Sequence, residues 1–354
     1  MAGLVVDCHA HNITKAIYPR ELFVGRFTLP RFMVNGLCDA IEDGLDMCLP
    51  LRLAWKFLPG KLQRFENLIR LYLGTMEDQA RALHAAALSA GVGQVWVLGL
   101  DIPDVGNYGP VSLAKNLQAQ LAVLEALPGM TGGVLVPFYP FDPRRDGAAV
   151  SAIARMSGGR FRGVKMYSAL GFNVEAVGDP KAAWSRNMCE AFEAFEAEGW
   201  PVVVHCSGGG IRGPEVHEGD MKWLSSPERW RPVFKRFPKL RVCFAHGTGE
   251  AGFLTLPNPK PNSWAWHLRD LMLRYEGVYA DVSFHSGMVE SPGKYRMRFE
   301  KVLSDAVRRR ILFGSDAPLC FGEYSYKHLI SAARESVPGL DTVLASNARD
   351  FLGV

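Results

Sequence analysis

Gly3-Leu4-Val5-Val6-Asp7-Cys8-His9-Ala10-His11 is a short apolar run that stops on ionisable side chains. The same pattern recurs along the chain. Val95 to Asp101, Gly133 to Phe138, Phe161 to Tyr167 and Pro201 to His205 are further runs of this kind, followed by Leu240 to His246, Gly277 to Val282 and Arg310 to Asp316. Short continuous apolar runs suit strands buried on both faces, as in a parallel sheet. Between them lie segments with helical periodicity, among them Met76 to Ala90, Ala114 to Leu127, Ala183 to Glu198, Trp266 to Tyr275 and Tyr326 to Glu335. Alternating strands and helices imply crossover units. The polar run ends Lys165, His205, His246, Asp281 and Asp316 also follow one another at nearly even spacing. This rhythm predicts an α/β fold of the (β/α)₈ barrel type, which is a TIM barrel. A doubly wound open sheet is the alternative, but no glycine fingerprint follows an early strand.

The chain has 354 residues, 48% of them hydrophobic, enough for a single barrel domain over 1–354. Such a barrel typically needs about 250 residues. The excess falls mainly in an insert after the first strand, at about residues 12–74, which reads as helical with Leu37, Ile41, Leu45, Leu49, Leu53 and Phe57 on one face. Its apolar face predicts either a cap over the barrel mouth or a subunit interface, and a homo-oligomer is expected. A net charge of +4 is small for this length and makes no case for nucleic acid. Seven cysteines without a CxxC pair suit a reduced, cytoplasmic setting. Met1 to Val6 is too short for the apolar core of a secretory leader. Pro50, Arg52 and Lys56 break the most apolar helical stretch, so no membrane span is expected.

Chemistry concentrates at the strand ends. In a strand, side chains at i and i+2 face the same way, so His9 and His11 can enter the barrel mouth together. His205 and Asp316 close later apolar runs and should reach the same rim, where barrels of this type place their active sites. Three imidazoles and one carboxylate leave room for a bound water, which suits a catalytic rather than a structural divalent metal. His246 closes another run and is the candidate that polarises a carbonyl, while Asp316 is the candidate proton acceptor.

Asp7-Cys8-His9-Ala10-His11, Gly163-Val164-Lys165-Met166-Tyr167, His205, Phe237 to His246, Gly314-Ser315-Asp316 and Ser346 to Gly353 together resemble the amidohydrolase superfamily. The resemblance is to its amidohydrolase-related branch, which includes the aminocarboxymuconate-semialdehyde decarboxylase-like enzymes. It implies that His9, His11, His205 and Asp316 meet one divalent ion, usually zinc, with His246 beside the reacting oxygen. It also implies a further role for Lys165, which is carboxylated in binuclear members and bridges two ions. An unmodified Lys165 would instead hold an anionic substrate group or pair with a carboxylate.

The expected reaction is hydrolysis of an amide, ester or lactone of a small organic acid by a metal-activated water. Non-oxidative decarboxylation is the alternative, although decarboxylases of this branch usually carry a glycine pair where His246-Gly247-Thr248-Gly249 stands. A binding protein that uses the helical insert is the non-enzymatic alternative. Arg212 and Tyr167 are the candidate contacts to a small-molecule substrate, one that carries a carboxylate. His217 and Lys222 read as a solvated loop, and Asp7 as a support for His9 rather than a ligand. Trp264, Trp266 and Phe284 are candidates for the pocket wall, though aromatic residues are more often core. Cys206 and Cys243 read as packing residues.

Overall fold

The computed structural model describes residues 5–14, 68–102, 113–211, 213, 215–322 and 324–354. Of the predicted insert, residues 15–67 lie outside these. Eight strands form one sheet in the order β1 to β8: β1 (Val5–Ala10), β2 (Val92–Leu98), β3 (Leu135–Phe141), β4 (Gly163–Met166), β5 (Val202–His205), β6 (Val242–Ala245), β7 (Val278–Asp281) and β8 (Ile311–Leu312). All neighbours pair in parallel. The Cys8 amide donates to the Phe313 carbonyl at 2.7 Å, Asp316 to His9 at 2.7 Å and His11 to Ala317 at 2.6 Å. These bonds join the last strand to the first. Sequential strand order with closure is a (β/α)₈ barrel, and it excludes the doubly wound sheet, whose order reverses part-way.

Helices follow the strands where the periodicity placed them. They include α1 (Met76–Ser89), α2 (Leu113–Met130), α3 (Ala148–Ser157), α4 (Ser185–Glu198), α5 (Arg231–Arg236), α6 (Trp264–Arg274), α7 (Pro292–Leu303), α8 (Tyr326–Ser336) and α9 (Ala345–Leu352). Local chemistry sets their starts. Thr75 accepts the Asp78 amide hydrogen at the head of α1, and Ser263 accepts that of Trp266 at the head of α6. On α4 the apolar stripe Met188, Ala191, Phe192 and Phe195 is fully buried in the layer between strands and helices.

The two ends of the barrel differ. Where the strands begin, Trp96 stacks on Phe138 and Phe351 with ring centroids 5.1 and 5.8 Å apart, so α9 closes that end with aromatic packing. Where the strands finish, the polar residues that closed the apolar runs gather. A separate apolar cluster sits beside them, and joins Ile13, Leu100, Tyr167 and Ile211 to Leu68, Ile69 and Tyr72. Those last three belong to residues 68–73, the helical end of the predicted insert.

Candidate metal centre and active cleft

His9 lies in β1 and His11 just beyond it. Their Nε2 atoms stand 3.1 Å apart, and Asp316 Oδ1 lies 3.6 Å from the first and 3.4 Å from the second. The opposite face of each ring fixes its proton. His11 Nδ1 donates to the Leu98 carbonyl at 2.9 Å, and His9 Nδ1 donates to Asp281 Oδ2 at 3.0 Å. Nδ1 of each ring therefore carries a hydrogen, and each Nε2 faces the same space. Burial, chiefly, lowers the His11 pKa to about 4, so that ring is neutral near pH 7. Two ring nitrogens and a carboxylate oxygen thus converge in a buried site, where a cation among them would be held by all three. This donor set fits a divalent ion, and orientation of ligand imidazoles through their second nitrogen is usual at metal sites.

A hydrogen-bond chain runs alongside. Ser283 Oγ donates to Asp281 Oδ1 and accepts from His246 Nδ1 at 2.8 Å. The Ser283 carbonyl, 3.4 Å away, can only accept, which also places the His246 hydrogen on Nδ1. Asp281 further receives the backbone amides of His246 at 2.9 Å and Ser283 at 3.0 Å. Burial pushes the Asp281 carboxyl up, but His9, His246 and Ser283 more than offset this and hold it well below the usual range. Asp316 behaves alike: burial raises it, and His11, His9 and His246 bring it below its ordinary value. His246 is lowered to about 3, first by burial and then by His9. His246 and Asp316 also adopt left-handed backbone, with φ of 62° and 60°. For non-glycine residues this costs about 1–3 kcal/mol each and is typical of functional positions.

The structure places His205 differently from the expected ligand set. Its Nε2 lies 2.7 Å from the Gly209 carbonyl and 3.3 Å from Ser207 Oγ, outside the group formed by His9, His11 and Asp316. The ring still lines the same cleft, stacked on Tyr167 at 4.2 Å and edge-on to His246 at 5.0 Å. Tyr167 in turn accepts the Ile211 amide hydrogen at 2.8 Å, which folds the loop after β5 over His205. Gly210, at φ 133°, permits this approach, because a Cβ there would collide with the Tyr167 hydroxyl and His205 Nε2. Lys165 is 2% exposed, and its Nζ has no hydrogen-bond partner among the described residues. Burial lowers its pKa to about 8, with Asp281 and Asp316 acting in the opposite sense.

Residues 105–354 match the family model described as amidohydrolase. The chain belongs to the amidohydrolase family. Solved structures share its architecture over nearly the whole length. A 5-carboxyvanillate decarboxylase from Novosphingobium aromaticivorans, with manganese and 4-hydroxy-3-methoxy-5-nitrobenzoic acid, is 13% identical with a TM-score of 0.58, covering 99% of this chain and 96% of that one. A dihydroxybenzoic acid decarboxylase from a Polaromonas species, with manganese and 2-nitroresorcinol, is 13% identical with a TM-score of 0.57, covering 99% and 97%. An amidohydrolase from Burkholderia multivorans with bound zinc is 14% identical with a TM-score of 0.54, covering 99% of each chain. At such identities these likenesses establish the barrel fold. Amidohydrolases of this superfamily are metal-dependent enzymes, in keeping with the donor set of His9, His11 and Asp316.

The amidohydrolase cleft beside this centre has a volume of about 300 Å³. His11, His205, His246 and Asp316 form its polar part, while Ile13, Leu100, Ile211, Phe284 and Leu319 contribute apolar walls. Phe284 is thus a wall residue, as one of the aromatic expectations had it. Trp264 lies instead against the helix–strand core and a side groove. Tyr167 lines the cleft, and Arg212 lies outside the described residues. Lys222 is solvated as expected but lies in a short helix, Glu218–Leu224, rather than a loop, and pairs there with Glu218 at 2.8 Å. Asp7 accepts the amides of His9 at 3.1 Å and Ser315 at 2.9 Å and the Tyr326 hydroxyl at 2.7 Å, and so ties the two ligand-bearing strand ends together. Cys206 and Cys243 are buried thiols whose pKa values burial raises, in line with packing roles. Reading the sequence alone missed Asp281, Ser283 and His285 as site residues. The available signal for Asp281 was its place at the end of the seventh apolar run, in step with His246 and Asp316.

No helix among the described residues is long and apolar enough to cross a membrane.

Proposed function

We propose that this amidohydrolase hydrolyses an amide, ester or lactone bond of a small organic acid, with a divalent ion held by His9, His11 and Asp316 and by His205 once its ring exchanges the Gly209 carbonyl for the ion. Zinc is the ion this imidazole-rich set suits first. When bound, it would supply Lewis acidity to the scissile carbonyl and to the attacking water. The observation that carries the reading is the chain Asp281–Ser283–His246. It leaves His246 Nε2 as a lone pair on the cleft, so His246 acts as a hydrogen-bond acceptor rather than the polarising donor expected from sequence. In this scheme His246 fixes the direction of the attacking water. The Asp316 carboxylate accepts the water's proton and returns it to the leaving group. Arg212, seven positions after His205 in the sequence, is proposed to hold the substrate carboxylate. Work in the cytoplasm as a homo-oligomer belongs to the same proposal.

Decarboxylation is the second reading, favoured by the named decarboxylases among the structural relatives. It requires a proton for the carbon that loses carboxylate. His246 and Asp316 both face the cleft as acceptors, which suits hydrolysis better. The zinc- or manganese-loaded protein should consume base with a panel of lactones and esters of small organic acids, and release free amine from the corresponding amides. It should release no carbon dioxide from the corresponding hydroxybenzoates. Carbon dioxide release without base uptake would transfer the proposal to the decarboxylase reading.

A further inference from the structure

Phe284 stands in a conformation that bulky side chains rarely adopt. Its φ is +58°, in the left-handed region, yet its side chain is not tucked into the core. The residue is 57% exposed and lines the mouth of the cleft. Both of its neighbours are buried and pinned. Ser283 binds Asp281, His9 and His246, and His285 binds the Tyr295 hydroxyl at 2.8 Å and reaches the His246 carbonyl at 3.3 Å. The backbone is thus clamped on either side of Phe284, and the strained residue between the clamps lines the cleft with its side chain exposed. Glycine would meet the same backbone demand without strain, so packing alone does not account for phenylalanine here.

The remaining walls sort the substrate. Polar groups line the metal side of the cleft, and Ile13, Leu100, Ile211 and Leu319 line the rest. At about 300 Å³ the cleft is at the small end of ligand sites, which run from roughly 300 to 1,000 Å³. From this arrangement we propose that Phe284 is a specificity-determining residue. It takes the ring of a planar, single-ring organic acid whose reacting group lies at the metal centre. The proposal refines the small organic acid of the preceding section by naming its shape, but binding of such a ring does not depend on which bond is broken.

Benzoate and cyclohexanecarboxylate distinguish a planar ring from a puckered one of similar size. Their affinities for the zinc-loaded protein can be measured by calorimetry, without turnover. Wild-type protein should prefer benzoate, and Phe284→Ala should reduce that preference by roughly two- to tenfold, the usual worth of an aromatic pair beyond its area. Phe284→Gly should show the same loss with a thermal midpoint equal to or above that of the wild type, because the strain is relieved. No benzoate binding to the wild-type protein, or a preference unchanged in Phe284→Ala, overturns the proposal. A clear fall in the midpoint of Phe284→Gly also overturns it, since the ring would then be a packing element. Failure of the hydrolase reading alone would show as ring binding without base uptake.

Discussion

At the scale of single residues, the site depends on which atoms carry protons. Asp316→Asn keeps the shape of the side chain but removes the proton acceptor and a charged ligand oxygen. Turnover should fall by about 10²–10⁴-fold or more, with circular dichroism unchanged. Asp281→Asn acts one step further out: it removes the anion that receives His9 Nδ1 and Ser283 Oγ. Metal affinity should drop by roughly 10–100-fold in a chelator competition. Lys165 offers a linkage test. Its folded pKa of about 8 lies below the ordinary lysine value of 10.5, so between these values the unfolded chain binds more protons than the folded one. Stability of the ion-free protein should therefore rise over that window relative to Lys165→Met. The variant should melt higher at pH 7 and still bind one ion. A drop from two ions to one would reveal a carboxylated bridge. The sequence made His9, His11 and Asp316 legible because each closes an apolar run that fixes its direction. It did not single out Asp281, whose partner His9 lies 272 positions away. Nor did it foresee His205 turning to Gly209, since that depends on how a glycine-rich loop folds back.

Elements were easier to read than their contacts. The periodicity of α1, α4 and α8 and the caps at Thr75 and Ser263 are local, and the observed helices begin and end within a few residues of expectation. The segment from Pro227 to Phe237 resolved into a short turn and α5, because Pro232 near the start of α5 restricts continuation of a single helix. For the insert, only the end is described, and it supports a position at the cleft. Leu68, Ile69 and Tyr72 share a cluster with Leu100, Tyr167 and Ile211, which are cleft residues. Tyr72 is 1% exposed, so Tyr72→Ala should cost about 3 kcal/mol of stability. If this segment braces the mouth, the Michaelis constant should also rise while metal content stays the same. A shift confined to the association state in sedimentation would assign it to an interface instead.

Across the whole molecule, the barrel separates stability from chemistry along its axis. The strand C-termini carry a centre that tolerates left-handed backbone at His246 and Asp316 and a buried lysine, neither of which favours folding. The opposite end is packed with aromatic rings and carries no such burden. Phe351 is fully buried there, 5.8 Å from Trp96 and 4.9 Å from Tyr279 by ring centroids. Arg241, just before β6, holds the Phe351 carbonyl at 2.9 Å and so fastens α9 to the strand starts. Phe351→Ala leaves that backbone bond in place and deletes the ring. The loss should destabilise the protein by about 3–5 kcal/mol, as large cavities in aromatic cores do. Denaturant titration would register it as a lower midpoint with an unchanged slope. No ligand of the metal touches Phe351, and residues near the base of a barrel strand act on stability rather than chemistry. Metal content, and turnover measured at a temperature where the variant is fully folded, should therefore match the wild type. A loss of metal affinity at that temperature would mean that the strand ends are held in place from the far side of the barrel, and the two ends could no longer be treated as independent.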